Sequence, residues 1–194
     1  MPQAPGLRPG FEVLNVVVKT VNVSKLIDMM VMAAILAAIA PAGAAQASVA
    51  DFIRGQTSAQ GHDLTAAARI MPADRYAYTP APDQMTFAEL VLHVADGNYQ
   101  FCSTIGGSAA PSVTKLAKNA PKEALVKRLQ ESFDYCASAL VALDDSKLSE
   151  MLAIGGTRSP RSMAILTLSG SWNTHMTMAQ DYLSQNGQAF TPTH

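Results

Sequence analysis

The sequence predicts an all-α protein, a four-helix bundle of up-down type with a long proline-rich connector between the first two helices. Three observations carry that prediction. Apolar residues recur at helical spacing over four long stretches. Each stretch is bounded by a strong breaker, a proline or a glycine. No strand pattern of convincing length is visible. The chain is rich in Ala, Met and Leu, and only 6% of it is aromatic, which suits a helical core better than a β-sandwich.

The bundle is expected over residues 48–194, about one domain's worth of chain. The preceding residues read differently. Met29 to Ala40 is an uninterrupted apolar run, short of the roughly 20 residues that a bilayer-spanning helix needs. Lys19 and Lys25 precede it, Pro41 follows it, and Ala45 and Ala47 are small residues at the −3 and −1 positions of a signal-peptidase site. Residues 1–47 therefore read as an N-terminal extension plus export signal, with its hydrophobic region at 29–40 and cleavage after Ala47. A buried apolar helix or an uncleaved anchor is the alternative. The stretch before Lys25 is long for such a signal, which leaves open a translation start after Met1. The expected product is periplasmic or secreted, with no stable membrane span after cleavage.

Taken in order, the first helix runs from Val49 to Met71, because the residue before Pro72 is driven out of the α region. Pro72 to Met85, with Pro80 and Pro82, reads as an extended connector without regular structure. Thr86, followed three residues later by Glu89, forms a capping box that opens the second helix. Its stripe is Phe87, Leu90, Val91, Val94 and Phe101, and Gly106-Gly107 closes it. Pro121 suits the first turn of the third helix, whose stripe is Leu125, Val126, Leu129, Phe133, Cys136 and Leu140. A short turn is expected within Asp144–Glu150 and a loop at Ile154–Thr157. Ser159-Pro160 reads as N-cap and first-turn proline of the fourth helix, which runs to Asn186 and ends at Gly187.

A net charge of −1 and the absence of any Lys/Arg cluster give no electrostatic footing for nucleic acid. Export bears on the two cysteines, Cys102 and Cys136, because paired cysteines belong to oxidising compartments. A bridge across two helices is expected; two buried free thiols are the alternative.

The chemistry-bearing residues are few. His62 has no partner at metal-ligand spacing, and His194 is the last residue. His93 and His175 lie well inside different helices, the arrangement from which bundle metal sites are built. Two imidazoles do not complete a zinc site, which takes at least three protein ligands. At about 100° per residue, Glu89, Asp96 and Gln100 share the face of His93, and Ser171 shares the face of His175. Cys102 falls on the opposite side of its helix. The plain alternative is two hydrogen-bonded histidines: His93 at a polar edge, and His175 facing inward along Leu168, Trp172, Ala179 and Tyr182.

Ile70-Met71-Pro72-Ala73-Asp74-Arg75-Tyr76, then Pro80, then Thr86-Phe87 and Leu90 leading to His93-Val94-Ala95 resemble the first half of a DinB-like domain. Tyr99-Gln100-Phe101-Cys102 and Ser132-Phe133-Asp134-Tyr135-Cys136 resemble the exported members of that family. The ending Tyr182 to Gly187, with Pro192 beyond, is similar to the family's last helix. The resemblance spans essentially all of 48–194. It implies a divalent metal (Zn, Ni or Mn) held by one histidine on the second helix and two on the last at i,i+4. His93 matches the first position and His175 the second of the last-helix pair, while Ser171 stands at the remaining one; Glu89 is a candidate outer partner. The family's implied activities are metal-dependent hydrolysis or thiol transfer, and its bundles tend to form homodimers. With a serine in the triad, the expected function is an exported bundle that keeps a degenerate metal site and acts without catalysis or through a partner. The alternative is a divalent-metal-dependent hydrolase or thiol transferase using His93 and His175.

Overall fold

The computed structural model describes residues 47–193. The expected extension and export signal at 1–46, with the hydrophobic region at 29–40, lies outside the described residues. Four helices build the core: α1 (Val49–Ile70), α2 (Phe87–Gly106), α3 (Lys122–Ala139) and α4 (Arg161–Gln185).

The start of α1 is fixed twice. The Ser48 hydroxyl accepts from Asp51 N–H at 2.9 Å, and Asp145, far along the chain, accepts from Val49 N–H at 3.0 Å and Ala50 N–H at 2.9 Å. Three of the four amides that a helix start leaves unbonded are thereby satisfied. The helix ends at Met71, whose ψ of 125° is the extended state that a following proline demands. The connector departs from its expected irregularity in one place, a 3₁₀ turn at Ala73–Arg75. It then feeds α2 directly: Phe87 N–H donates to Tyr78 O at 3.0 Å and Ala88 N–H to Tyr76 O at 2.9 Å.

The capping box at α2 forms as its spacing predicts, with Glu89 N–H to Thr86 Oγ1 at 3.2 Å and Thr86 N–H to Glu89 Oε2 at 2.8 Å. Gly107 closes the helix at φ 71°, a left-handed conformation that only glycine adopts freely. Cys102 and Cys136 are bridged, tying α2 to α3 with a Cα–Cα distance of 5.1 Å. Both are fully buried.

Two local expectations are corrected. The stretch expected to be a loop near Ile154 is the turn of an antiparallel hairpin, β1 (Met151–Ile154) and β2 (Thr157–Pro160), with Ala153 opposite Arg158. Its connection is Gly155-Gly156, at φ 59° and 82°, and a two-residue turn of this kind requires positive φ at both positions. Strands of four residues are too short for a period of two to stand out. The second correction concerns the helix-opening prolines. Pro121 and Pro160 are the N-cap residues of α3 and α4, not first-turn residues, and Ser159 pairs within the hairpin. Proline has no capping side chain, so neighbouring carbonyls serve α4: Arg161 N–H donates to Glu150 O at 2.8 Å and Ser162 N–H to Leu148 O at 3.0 Å. The buried Arg161 guanidinium then binds Glu150 Oε2, Lys147 O and Ile105 O, joining the hairpin segment to the end of α2.

One continuous apolar cluster fills the bundle. Its largest fully buried side chains include Trp172, Tyr182, Phe87 and Ile53, drawn from α1, α2 and α4. Among the described residues no helix is long and apolar enough to cross a membrane.

Candidate functional site

The packing of α2 against α4 brings His93 and His175 together. Their ring centroids are 4.9 Å apart and the rings meet edge to face at 68°. The two histidines differ in environment. His93 is exposed at the polar edge of α2, whereas His175 is 8% exposed, on the inward face of α4. Burial holds the His175 imidazole below its ordinary pKa, and the charge that His93 can carry pushes the same way; the Ser171 backbone opposes both. His175 is therefore a neutral imidazole at pH 7, the form that can accept a hydrogen bond or ligate a cation.

Ser171, one turn before His175, places its Oγ 3.2 Å from His175 Nδ1. The hydroxyl is thus engaged with the imidazole itself. Among the described residues, Nε2 of His175 has no hydrogen-bond partner. Glu89 is not bonded to either imidazole. Its carboxylate accepts from Thr86 N–H, Thr86 Oγ1 and, at 3.1 Å, Lys118 Nζ, and these bonds hold its pKa down at about 2.

Beside the pair lies a cavity of about 240 Å³. Its polar wall includes His93, Asp96, Gln100 and Ser171; its apolar wall is formed by Phe101, Leu168 and Trp172. Asp96 and Gln100, which share the His93 face in the helical projection, do line this space. His175 is not part of the lining and stands next to it through its contacts with His93 and Ser171. His62 lies apart on α1, against Asp63 and Thr193.

Asn98 was not singled out by sequence reasoning, and it organises the floor of this site. It is 1% exposed. Its Oδ1 accepts from Trp172 Nε1 at 2.7 Å, and its Nδ2 donates to Ser132 Oγ at 3.0 Å. One amide therefore fixes the indole wall and links α2, α3 and α4. The available signal was a polar residue on the inward stripe of α2, between Val94 and Cys102 at helical spacing.

The donor set falls short of the divalent metal that the family resemblance implies. Two imidazoles converge, but the third position offers a hydroxyl already held at His175 Nδ1. Among the described residues no group of three His, Cys, Asp or Glu side chains is placed to hold an ion. The residues present do not fit a complete three-ligand centre.

The arrangement is that of a helical bundle with a paired-imidazole pocket between its second and last helices. The chain belongs to the DinB superfamily, whose family model matches residues 56–175. Its fold is similar to that of solved DinB-like proteins. One from Bacillus subtilis is 18% identical, with a TM-score of 0.59, covering 72% of this chain and 95% of that one. Another, from Bacillus cereus ATCC 10987, is 13% identical, with a TM-score of 0.58 and coverages of 71% and 92%. A conserved protein from Enterococcus faecalis is 16% identical, with a TM-score of 0.57 and coverages of 70% and 95%. At these identities the likeness concerns the fold alone. No curated protein matches the chain.

Proposed function

We propose that this protein is an exported DinB-like bundle that retains the pocket of a metal site without its full ligand set, and that it works by binding rather than by metal-dependent catalysis. The observation that carries this reading is the Ser171–His175 contact. A serine stands at the position of a third imidazole, and its hydroxyl orients His175 instead of standing free as a ligand. Export is supported by the fully paired cysteines, a state typical of oxidising compartments. The partner is a small molecule seated in the α2–α4 cavity or a second protein chain, a homodimer included.

One observation favours a second reading, a metal-dependent hydrolase or thiol transferase. Imidazole rings 4.9 Å apart beside a cavity are close enough to share one ion. His93 and His175 would then be the protein ligands of zinc, nickel or manganese.

Metal content of the purified full chain by plasma mass spectrometry separates the two, measured beside His93→Ala and His175→Ala. Metal far below stoichiometry in all three, not restored by added zinc, nickel or manganese, is the expected result. Near-stoichiometric metal that both substitutions remove would sink the binding reading and direct the search to hydrolase and thiol-transfer substrates.

A further inference from the structure

A second cleft, of about 350 Å³, lies between α1 and α3 and shares no lining residue with the imidazole pocket. Its volume falls within the range of roughly 300–1,000 Å³ usual for small-molecule sites. The sequence explains why there is space here. Along this face α1 carries mostly short side chains, Ser58, Gly61, Thr65 and Ala66 among them, with the longer His62 and Arg69 also in the lining. At Gly61 the bare backbone meets the Phe133 ring so closely that an added Cβ would lie 3.0 Å from its Cγ. The aromatic ring thereby becomes an apolar floor.

Three polar groups mark this cleft. Thr65 is 2% exposed and its hydroxyl has no hydrogen-bond partner. The other five threonines within helices, Thr57, Thr104, Thr167, Thr174 and Thr177, all donate to the carbonyl four residues back. Thr65 alone forgoes that bond, which leaves a buried polar group at a cost in stability. Thr65 is itself one of the residues that line the cleft. Arg69 and Asp134 supply opposite charges, and neither has an ion-pair partner among the described residues. The Arg69 guanidinium sits against Gln130, to which it donates at 2.9 Å. Asp134 follows Gln130 by one turn, about 6 Å of helix rise.

We propose that the α1–α3 cleft binds a small zwitterion of dipeptide size. Its carboxylate meets Arg69, its ammonium meets Asp134, and its apolar body lies on Phe133, with the Thr65 hydroxyl bonding the peptide group between the charges. Size selects the class. A cleft of about 350 Å³ lies at the small end of the usual range for ligand sites, which suits a molecule of dipeptide size rather than a longer peptide. The proposal is independent of how the imidazole pocket is used.

Calorimetric titration of the full chain with glycyl-leucine tests it, beside N-acetylglycyl-leucine and glycyl-leucinamide, each of which lacks one terminal charge. Saturable one-to-one binding is expected. Either blocked peptide, and either Arg69→Met or Asp134→Asn, should weaken it roughly fivefold, the ratio that an exposed ion pair gives. Thr65→Val should weaken binding while raising the melting temperature, since it deletes an unbonded hydroxyl. The two charge variants alter exposed side chains and leave the core intact. The absence of saturable binding at millimolar peptide would overturn the proposal. So would binding indifferent to the three variants, or binding abolished by His93→Ala, which would place the peptide in the other pocket.

Discussion

Replacing Asn98 by leucine tests the architecture beneath the imidazole pocket, and its cost can be worked from the contacts. Leucine has a similar size but removes both side-chain hydrogen bonds of a residue that is 1% exposed. Ser132 retains a partner, because its hydroxyl also donates to Leu129 O at 2.7 Å, so that loss is an ordinary bond of about 1 kcal/mol. Trp172 fares worse. Its Nε1–H bonds to Asn98 Oδ1 at 2.7 Å, and the substitution leaves it buried with no acceptor, a penalty of about 1–3 kcal/mol. The sum is about 2–4 kcal/mol. Urea unfolding measures it as a lower midpoint at constant slope. Adding Trp172→Phe removes the orphaned donor, so the double variant should lose less than the sum of the two single ones. Strict additivity, or a loss below about 0.5 kcal/mol for Asn98→Leu, would refute the reasoning.

Three further outcomes are expected. Ser171→His adds a third imidazole on the face of His175, and zinc content measured by mass spectrometry should rise toward one ion per chain. Reducing the Cys102–Cys136 bridge, whose cysteines are 34 residues apart, should lower stability by about 3–4 kcal/mol in the loop-entropy picture, read by denaturant unfolding with and without reductant. His175 binds protons less readily folded than unfolded, so its contribution to stability is full above the unfolded pKa of about 6.5 and is lost as pH falls through the depressed folded value. Melting temperatures followed from pH 8 to pH 5 should therefore decline, and His175→Gln should flatten that part of the decline.

What sequence alone determined here was local. The Thr86–Glu89 box, the break before Pro72 and the closing Gly107 and Gly187 depend on residues within a turn of one another, so their spacing carries the information. The inward direction of His175 and Cys136 followed from helical periodicity in the same way. The Gly155-Gly156 hairpin was equally local, but its strands are too short for their pattern to rise above that of a loop. Tertiary packing decided the rest. The 4.9 Å approach of His93 to His175, the Asp145 cap on α1 and the Asn98–Trp172 bond each join residues more than 70 positions apart. Ser171 shows the division most plainly. Sequence put it on the face of His175, and only the folded geometry gave its hydroxyl to Nδ1, because a side chain's partner is set by what the packed helices leave within 3.2 Å.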